Sequence, residues 1–169
     1  MQYTYLRLWQ ILQTLPNYNG PKPPLEALQK VNQSPKKDFQ FYYSLEKMLN
    51  GPKYFKTNLR SKLYHQLDHV FVFKNDEHLT PQIIDQDVKY IEDLNVPDDC
   101  KAVILLNLPP YMFGRNTGEL LGPFSVCYDY LRSLSYEIVA VSWNNSSFPP
   151  GDRGMNDLFS KIKSQLNQR

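Results

Sequence analysis

Metal-assisted cleavage of a phosphodiester needs two or more carboxylates to hold Mg²⁺ beside the scissile phosphate, and a lysine for the charge that develops. Two Asp-x-Lys triplets offer such side chains, Asp87-Val88-Lys89 and Asp99-Cys100-Lys101, and Pro97-Asp98 leads into the second. Nucleases of this chemistry separate their Pro-Asp from their acid-x-Lys by a strand or more, whereas here the two are adjacent. Three-residue matches arise readily in acidic segments, so a solvated acidic face is the competing reading. His65 and His69 are four apart and could share a helical face as two metal ligands. Residues 69–73 nevertheless read as strand, and no third ligand is at hand. Surface or hydrogen-bonded histidines are the expectation, with Asp68 beside His69 as a local partner. The chain has no Gly-rich phosphate loop, no His-Arg-Asp and no Asp-Phe-Gly, and no Gly-x-Ser-x-Gly surrounds Ser125, Ser133 or Ser142. Cys100 and Cys127 lack Cys or His partners at metal-ligand spacing, which predicts buried or free thiols in a reducing compartment and no zinc. The residues thus predict no catalytic group of their own, no metal and no cofactor.

Contact with RNA asks for something different: cations for phosphates and exposed aromatic rings for unstacked bases. Lys53-Tyr54-Phe55-Lys56, with Arg60, Lys62, Tyr64 and His65, supplies that mixture. Tyr111-Met112-Phe113-Gly114-Arg115-Asn116 supplies it less densely, on a loop after an apolar strand, where open α/β sheets tend to take their ligands. The candidate phosphate and base contacts are Lys53, Lys56, Arg60, Lys62, Tyr111, Phe113 and Arg115. The competing reading is that Tyr54, Phe55, Tyr111 and Phe113 pack into a core, as aromatics mostly do. Trp143 is expected to be core packing.

The elements that must position these residues sharpen toward the end of the chain. Leu6, Leu8, Trp9, Ile11, Leu12 and Leu15 form a helical stripe ended by Pro16 and Asn17–Gly20. A short helix is expected around Leu25, Leu28 and Val31, and a third over 38–50, closed by Gly51-Pro52. Residues 54–63 are ambiguous, Asp68–Phe73 reads as a strand, and the acidic stretch with Ile83, Ile84, Val88 and Ile91 reads weakly as a helix. Ala102–Leu106 is a continuous apolar run, expected for a strand buried on both faces. Leu120, Phe124, Cys127, Leu131 and Leu134 recur at helical spacing, and Ile138–Val141 reads as a second buried strand. Two strands joined by one helix predict a parallel crossover. Asn144–Gly154 is expected to be loop, followed by an amphipathic helix bearing Met155, Leu158, Phe159, Ile162 and Leu166.

At 169 residues, 41% apolar and 21% charged, the chain can bury one core or two small modules. No apolar run reaches the ~18 residues that suggest a membrane span. The N-terminus lacks the basic start and apolar core of a secretory signal, and the chain reads as the C-terminal piece of something longer. The net charge of +2 hides an asymmetry: residues 1–74 carry 11 Lys/Arg against 4 Asp/Glu, and residues 75–100 carry 1 against 8. The basic part is expected either to meet a polyanion or to face the acidic segment of its own chain.

With these residues in hand, the chain resembles the C-terminal end of the FAST kinase domain-containing proteins, whose final module is the RAP domain. The matching features are the strand and polar-aromatic loop at Asn107–Phe113, the Gly118-Glu119-Leu120-Leu121-Gly122 helix entry, and Leu134-Ser135-Tyr136-Glu137-Ile138-Val139. Upstream, Tyr43 to Phe55 and on to Leu67-Asp68 is similar to the FAST-type segment that precedes that module. The resemblance implies a helical FAST-type segment over 1–67 and a RAP-like α/β domain over 68–169. The implied fold is α/β: a helical N-terminal module plus a restriction-endonuclease-like sheet, of the PD-(D/E)XK and Vsr type, with flanking helices. It also implies a protein of the mitochondrial matrix that acts on RNA in transcript stability or processing. The implied partner is RNA, with a protein-interaction scaffold or a metal-dependent endoribonuclease as alternatives, and no membrane. Three departures stand out: Asn107 where RAP modules often have Asp, Cys127-Tyr128-Asp129 where a basic run is common, and Leu134-Ser135-Tyr136 in place of Leu-Gly-Tyr. The first weakens cleavage, and the second removes phosphate-binding charge.

Overall fold

The apolar run 102–106 becomes the centre of the protein. The structure, a computed structural model, describes residues 2–15, 17–24, 26–28, 38–142 and 152–167. Its strands are β1 (Phe55–Arg60), β2 (Gln66–Lys74), β3 (Cys100–Asn107) and β4 (Glu137–Val141), in one sheet of order β1-β2-β3-β4. The first two pairings are antiparallel and the last is parallel, as a crossover between β3 and β4 requires. The protein is therefore α/β, with a four-stranded mixed sheet and helices packed against it. On β3, Val103 and Leu105 join one core, while Ile104 and Leu106 join the other. Burial on both faces is why that strand reads as unbroken apolar sequence.

The helices are α1 (Gln2–Leu12), α2 (Phe39–Leu49), the short α3 (Gly122–Ser125) and α4 (Asp129–Ser133), and α5 (Asp152–Asn167). One face of the sheet is covered by Phe41, Leu45 and Leu49 of α2 and by Met155, Leu158, Phe159, Ile162 and Leu166 of α5. Each fully buried side chain of this kind contributes roughly 1.5–3 kcal/mol. Asp38 caps α2 by accepting the Phe41 N–H at 3.0 Å. At the other end Asn50 turns left-handed (φ 61°), and the Gly51 N–H closes the helix on the Glu46 carbonyl at 2.9 Å. Gly51 itself sits at φ 141°, a region that favours glycine. The short helix expected near Leu25 is described only at 26–28, which is helical; the rest of it, like Trp143 and most of the 144–154 loop, lies outside the described residues.

Two expectations change. The acidic segment is not helical beyond one 3₁₀ turn at Ile91–Asp93. It runs extended along the sheet, because its backbone groups bond to β2, to β1 and to the turn before β1: Gln82 N–H to the Val72 carbonyl at 2.8 Å, the Lys89 carbonyl to Arg60 N–H at 3.2 Å, and Ile84 N–H to the Lys53 carbonyl at 2.8 Å. Its Ile84, Ile91 and Leu94 are buried beneath the second face. The stripe from Leu120 to Leu134 is likewise no single helix. A 3₁₀ turn at Val126–Tyr128 separates α3 from α4, Leu120 bridges Phe113 outside both, and only Cys127 and Leu131 of the stripe are buried. Among the described residues no helix is long and apolar enough to cross a membrane.

Candidate nucleic-acid interface

β1 and β3 both run antiparallel to β2, so their carboxyl ends lie together with that of β4 and the start of β2. That edge divides the predicted contacts. Arg60 ends β1 there, and the loop carrying Tyr111, Phe113 and Arg115 leaves β3 there. Lys53 precedes β1 at the opposite end, roughly 20 Å away at ~3.3 Å per residue. Its ammonium lies 5.4 Å over the Tyr54 ring. Lys56 is half-buried opposite Val70. Tyr54 is half-buried against the core and Phe55 is within it, so the packing reading holds for both.

Lys62 is held by Asp93, Nζ to Oδ1 at 2.6 Å, while its backbone N–H reaches both oxygens of Glu92 at 2.8 and 3.0 Å. The Asp93 hydrogen bond raises the lysine pKa. Here the basic part meets the acidic segment of its own chain. If this edge meets RNA phosphates, Lys62→Ala is expected to leave that affinity within about twofold of wild type in a titration, whereas Arg115→Ala weakens it several-fold. Equal losses would show Lys62 exchanging Asp93 for phosphate.

The loop after β3 is firmly built. Pro110–Met112 forms a 3₁₀ turn anchored by buried Met112, Leu121 N–H bonds the Met112 carbonyl at 2.9 Å, and Gly114 N–H bonds the Glu119 carbonyl at 2.8 Å. Tyr111 is left 68% exposed, and Arg115, four residues on in the same loop, is exposed too. Phe113 is half-buried in its bridge with Leu120, which makes it packing rather than platform. The Tyr111 ring meets Phe124 edge-on at 6.2 Å, and the Arg7 guanidinium of α1 lies 5.7 Å over that same Phe124.

Behind Arg7 the structure holds a cavity of about 230 Å³, lined by Arg7 and Gln10 of α1, Tyr64, His65, Asp68, Asn107 and Tyr128, among others. It lies where β1 and β2 change face, between the Thr57–His69 and Leu59–Leu67 pairs. Asn58 is left-handed (φ 56°), and on either side of this level the strands serve different cores. Phe55 and its partner Phe71 belong to the first core, Leu59 and its partner Leu67 to the second. At this change of face, Asp68 Oδ2 accepts the Asn107 N–H at 2.7 Å. Burial pushes the Asp68 carboxyl up to about 6, with the Asn107 hydrogen bond opposing. Burial, then the charge of Asp68, raises the Tyr128 phenol to about 12.

His65 is buried beside them, its ring stacked on Tyr130 at 5.9 Å. Ser61 Oγ accepts the His65 backbone N–H at 3.0 Å and lies 2.7 Å from Nδ1. With one hydroxyl proton, Ser61 best serves both contacts by donating it to Nδ1, which assigns the ring proton to Nε2. Nε2 is buried without a full hydrogen bond among the described residues. Burial pulls the His65 pKa down to about 4; the Cys127 carbonyl lies near enough to oppose this a little. His69 instead packs on Phe41 (5.1 Å) and Phe55 (5.9 Å) against the opposite core, so the two histidines form no ligand pair.

The carboxylate at this edge was hidden from sequence reasoning. Asn107 occupies the strand end, as expected, but Asp68 on the neighbouring strand brings an acid beside it. Arg7, Gln10 and Tyr128 were missed too. The available signals were the three-residue spacing of Arg7 and Gln10 on a helical stripe and the unusual Leu67-Asp68 step at the start of a strand. Asp99 and Lys101 lie at the far end of β3, Lys101 opposite Phe73. Among the described residues no group of three or more His, Cys, Asp or Glu is placed to hold a metal ion. Comparison with family models, with curated proteins and with solved structures finds no match for this chain.

Proposed function

We propose that this chain binds single-stranded RNA at the carboxyl edge of its sheet and does not cleave it. The observation that carries this reading is Tyr111, 68% exposed on a hydrogen-bonded turn, with exposed Arg115 four residues on in the same loop and Arg7 reaching the same Phe124. Exposed aromatics flanked by cations stack bases and pair phosphates. In this reading the element order (helix, three strands, helical segment, strand) is that of a restriction-endonuclease-like sheet whose cutting machinery is degenerate. Asp68 remains as a single acid next to a neutral amide, and the two Asp-x-Lys triplets belong to the acidic segment and the far strand end. Transcript stability or processing in the mitochondrial matrix, within the FAST kinase domain-containing and RAP families, rests on the resemblance of the motifs alone. Of the residues first singled out, Tyr111, Arg115 and Arg60 sit at this edge, joined by Arg7.

The test is a titration against a single-stranded RNA of mixed sequence. About three neutralised phosphates give a log–log salt slope near −2, or roughly 15-fold weaker binding from 50 to 200 mM salt. Salt-insensitive or absent binding contradicts the proposal. A protein-interaction scaffold is the second reading, favoured by Leu121 and Val126, which are 41% and 37% exposed on the helical segment next to Tyr111. Charge reversal at Arg7 and Arg115 abolishes RNA binding under the first reading and finds none to abolish under the second.

A further inference from the structure

We infer that the cavity behind Arg7 takes one unstacked guanine base of the bound RNA, read by the Asp68 carboxylate. This deepens the RNA-binding reading and rests on it. The space, about 230 Å³, falls below the ~300 Å³ at which pockets for drug-sized ligands begin, and suits a single heterocycle with its sugar and phosphate left outside. Arg7 both lines the cavity and lies over Phe124, which touches the exposed Tyr111. A strand stacked on Tyr111 is thereby brought near Arg7, a lining residue of the cavity whose guanidinium can meet its phosphate.

The lining selects among bases by its donors and acceptors. An ionised carboxylate only accepts, and Asp68 has one oxygen occupied by the Asn107 N–H, so lone pairs remain for incoming donors. His65 Nε2 is the complementary group: a protonated ring nitrogen, on a residue only 4% exposed, with no full hydrogen bond among the described residues and only the Cys127 carbonyl near it. Guanine presents two adjacent donors, N1–H and the N2 amino group, next to the O6 acceptor. The donors fit Asp68 and the acceptor fits His65 Nε2. Uracil offers a single N–H between two acceptors. Adenine and cytosine place a ring-nitrogen acceptor beside their amino group, which an ionised carboxylate repels. With its carboxyl pushed up only to about 6, Asp68 is ionised at pH 7, the state that accepts two donors.

The experiment compares nine-residue oligouridylates whose central base is G, A, C, U, inosine or 7-deazaguanine, at fixed salt and pH 7. The guanine oligomer is expected to bind roughly tenfold tighter than those with A, C or U, as one good two-point base contact provides. Inosine, which lacks the N2 amino group, should lose most of that gain. 7-Deazaguanine, altered only on the far edge, should keep it. Asp68→Asn, shown by circular dichroism to keep the fold, should bind all the oligomers alike. Equal binding of all oligomers overturns the pocket assignment while the RNA-binding reading stands. A preference for another base, or inosine equal to guanine, overturns the carboxylate contact. A preference that survives Asp68→Asn does the same. Failure to bind any oligomer removes both readings together.

Discussion

Phe71→Ala is expected to lower the stability of the protein by about 3–5 kcal/mol, the usual range for emptying a large buried aromatic site. Phe71 is 0% exposed near the middle of β2, a strand paired on both sides. Its ring meets Phe55 at 5.9 Å and Phe73 at 6.0 Å, and Phe159 of α5 edge-on at 6.3 Å. The same core includes Phe41 and Leu45 of α2. One truncation therefore loosens the contacts that hold α5 to the sheet and leaves a void that rigid strands cannot close. For a chain of this length the midpoint of thermal unfolding should fall by roughly 10 °C. Urea unfolding followed by circular dichroism checks it, with Leu8→Ala as the comparison. Leu8 is 52% exposed, and its loss should change stability by under about 0.5 kcal/mol. A Phe71→Ala loss below about 1 kcal/mol would mean that this ring is not in the core.

The second large effect is a dependence of stability on pH that one substitution uncovers. Asp68 has its carboxyl raised from 3.8 to about 6, so the folded protein holds a proton that the unfolded chain releases. Its contribution is most favourable below pH 3.8 and declines as pH rises to about 6, by about 3 kcal/mol in all. His65 runs the other way. Its folded pKa lies near 4 against 6.5 unfolded, so the unfolded chain binds the extra proton and stability rises with pH across that window, by a similar amount. The two slopes oppose each other over roughly pH 4–6. Asp68→Asn removes the falling one. Relative to wild type, the variant should gain about 2–3 kcal/mol between pH 4 and pH 7. Urea unfolding of both proteins at the two pH values measures that difference. A difference that stays flat would show that the Asp68 carboxyl titrates as an ordinary exposed one.

What the sequence reveals and what it conceals have physical reasons. β3 was legible because a strand buried on both faces has no polar positions to blur its pattern, and α5 because all five residues of its expected stripe are buried. The stripe from Leu120 to Leu134 misled because spacings of three and four also suit a 3₁₀ turn between two short helices, with Leu120 engaged in a bridge instead. The acidic segment misled for a related reason. Its buried Ile84, Ile91 and Leu94 are spaced by contact with β1 and β2 rather than by a helical turn. β1 stayed ambiguous because it changes face at Asn58, which breaks the alternation that marks a strand. The loop bearing Tyr111 and Arg115 was visible as a local motif. The cavity was not, since Arg7, Asp68, Asn107 and Tyr128 meet only through the pairing of β2 with β3 and the packing of α1 across the sheet end. Lys62 looked free for RNA because its partner, Asp93, is 31 positions away.

The most direct measurement is photocrosslinking of a 4-thiouridine-containing single-stranded RNA to the protein, followed by identification of the modified peptides and of the RNA itself. Crosslinks should fall on the Tyr111–Arg115 loop and on the Arg7 turn of α1, weaken as salt rises, and leave the RNA at its original length in the presence of Mg²⁺. Crosslinks confined to the far end of the sheet around Lys53, or RNA recovered in pieces with wild-type protein and intact with Asp68→Asn, would contradict the account of a binding edge that does not cut.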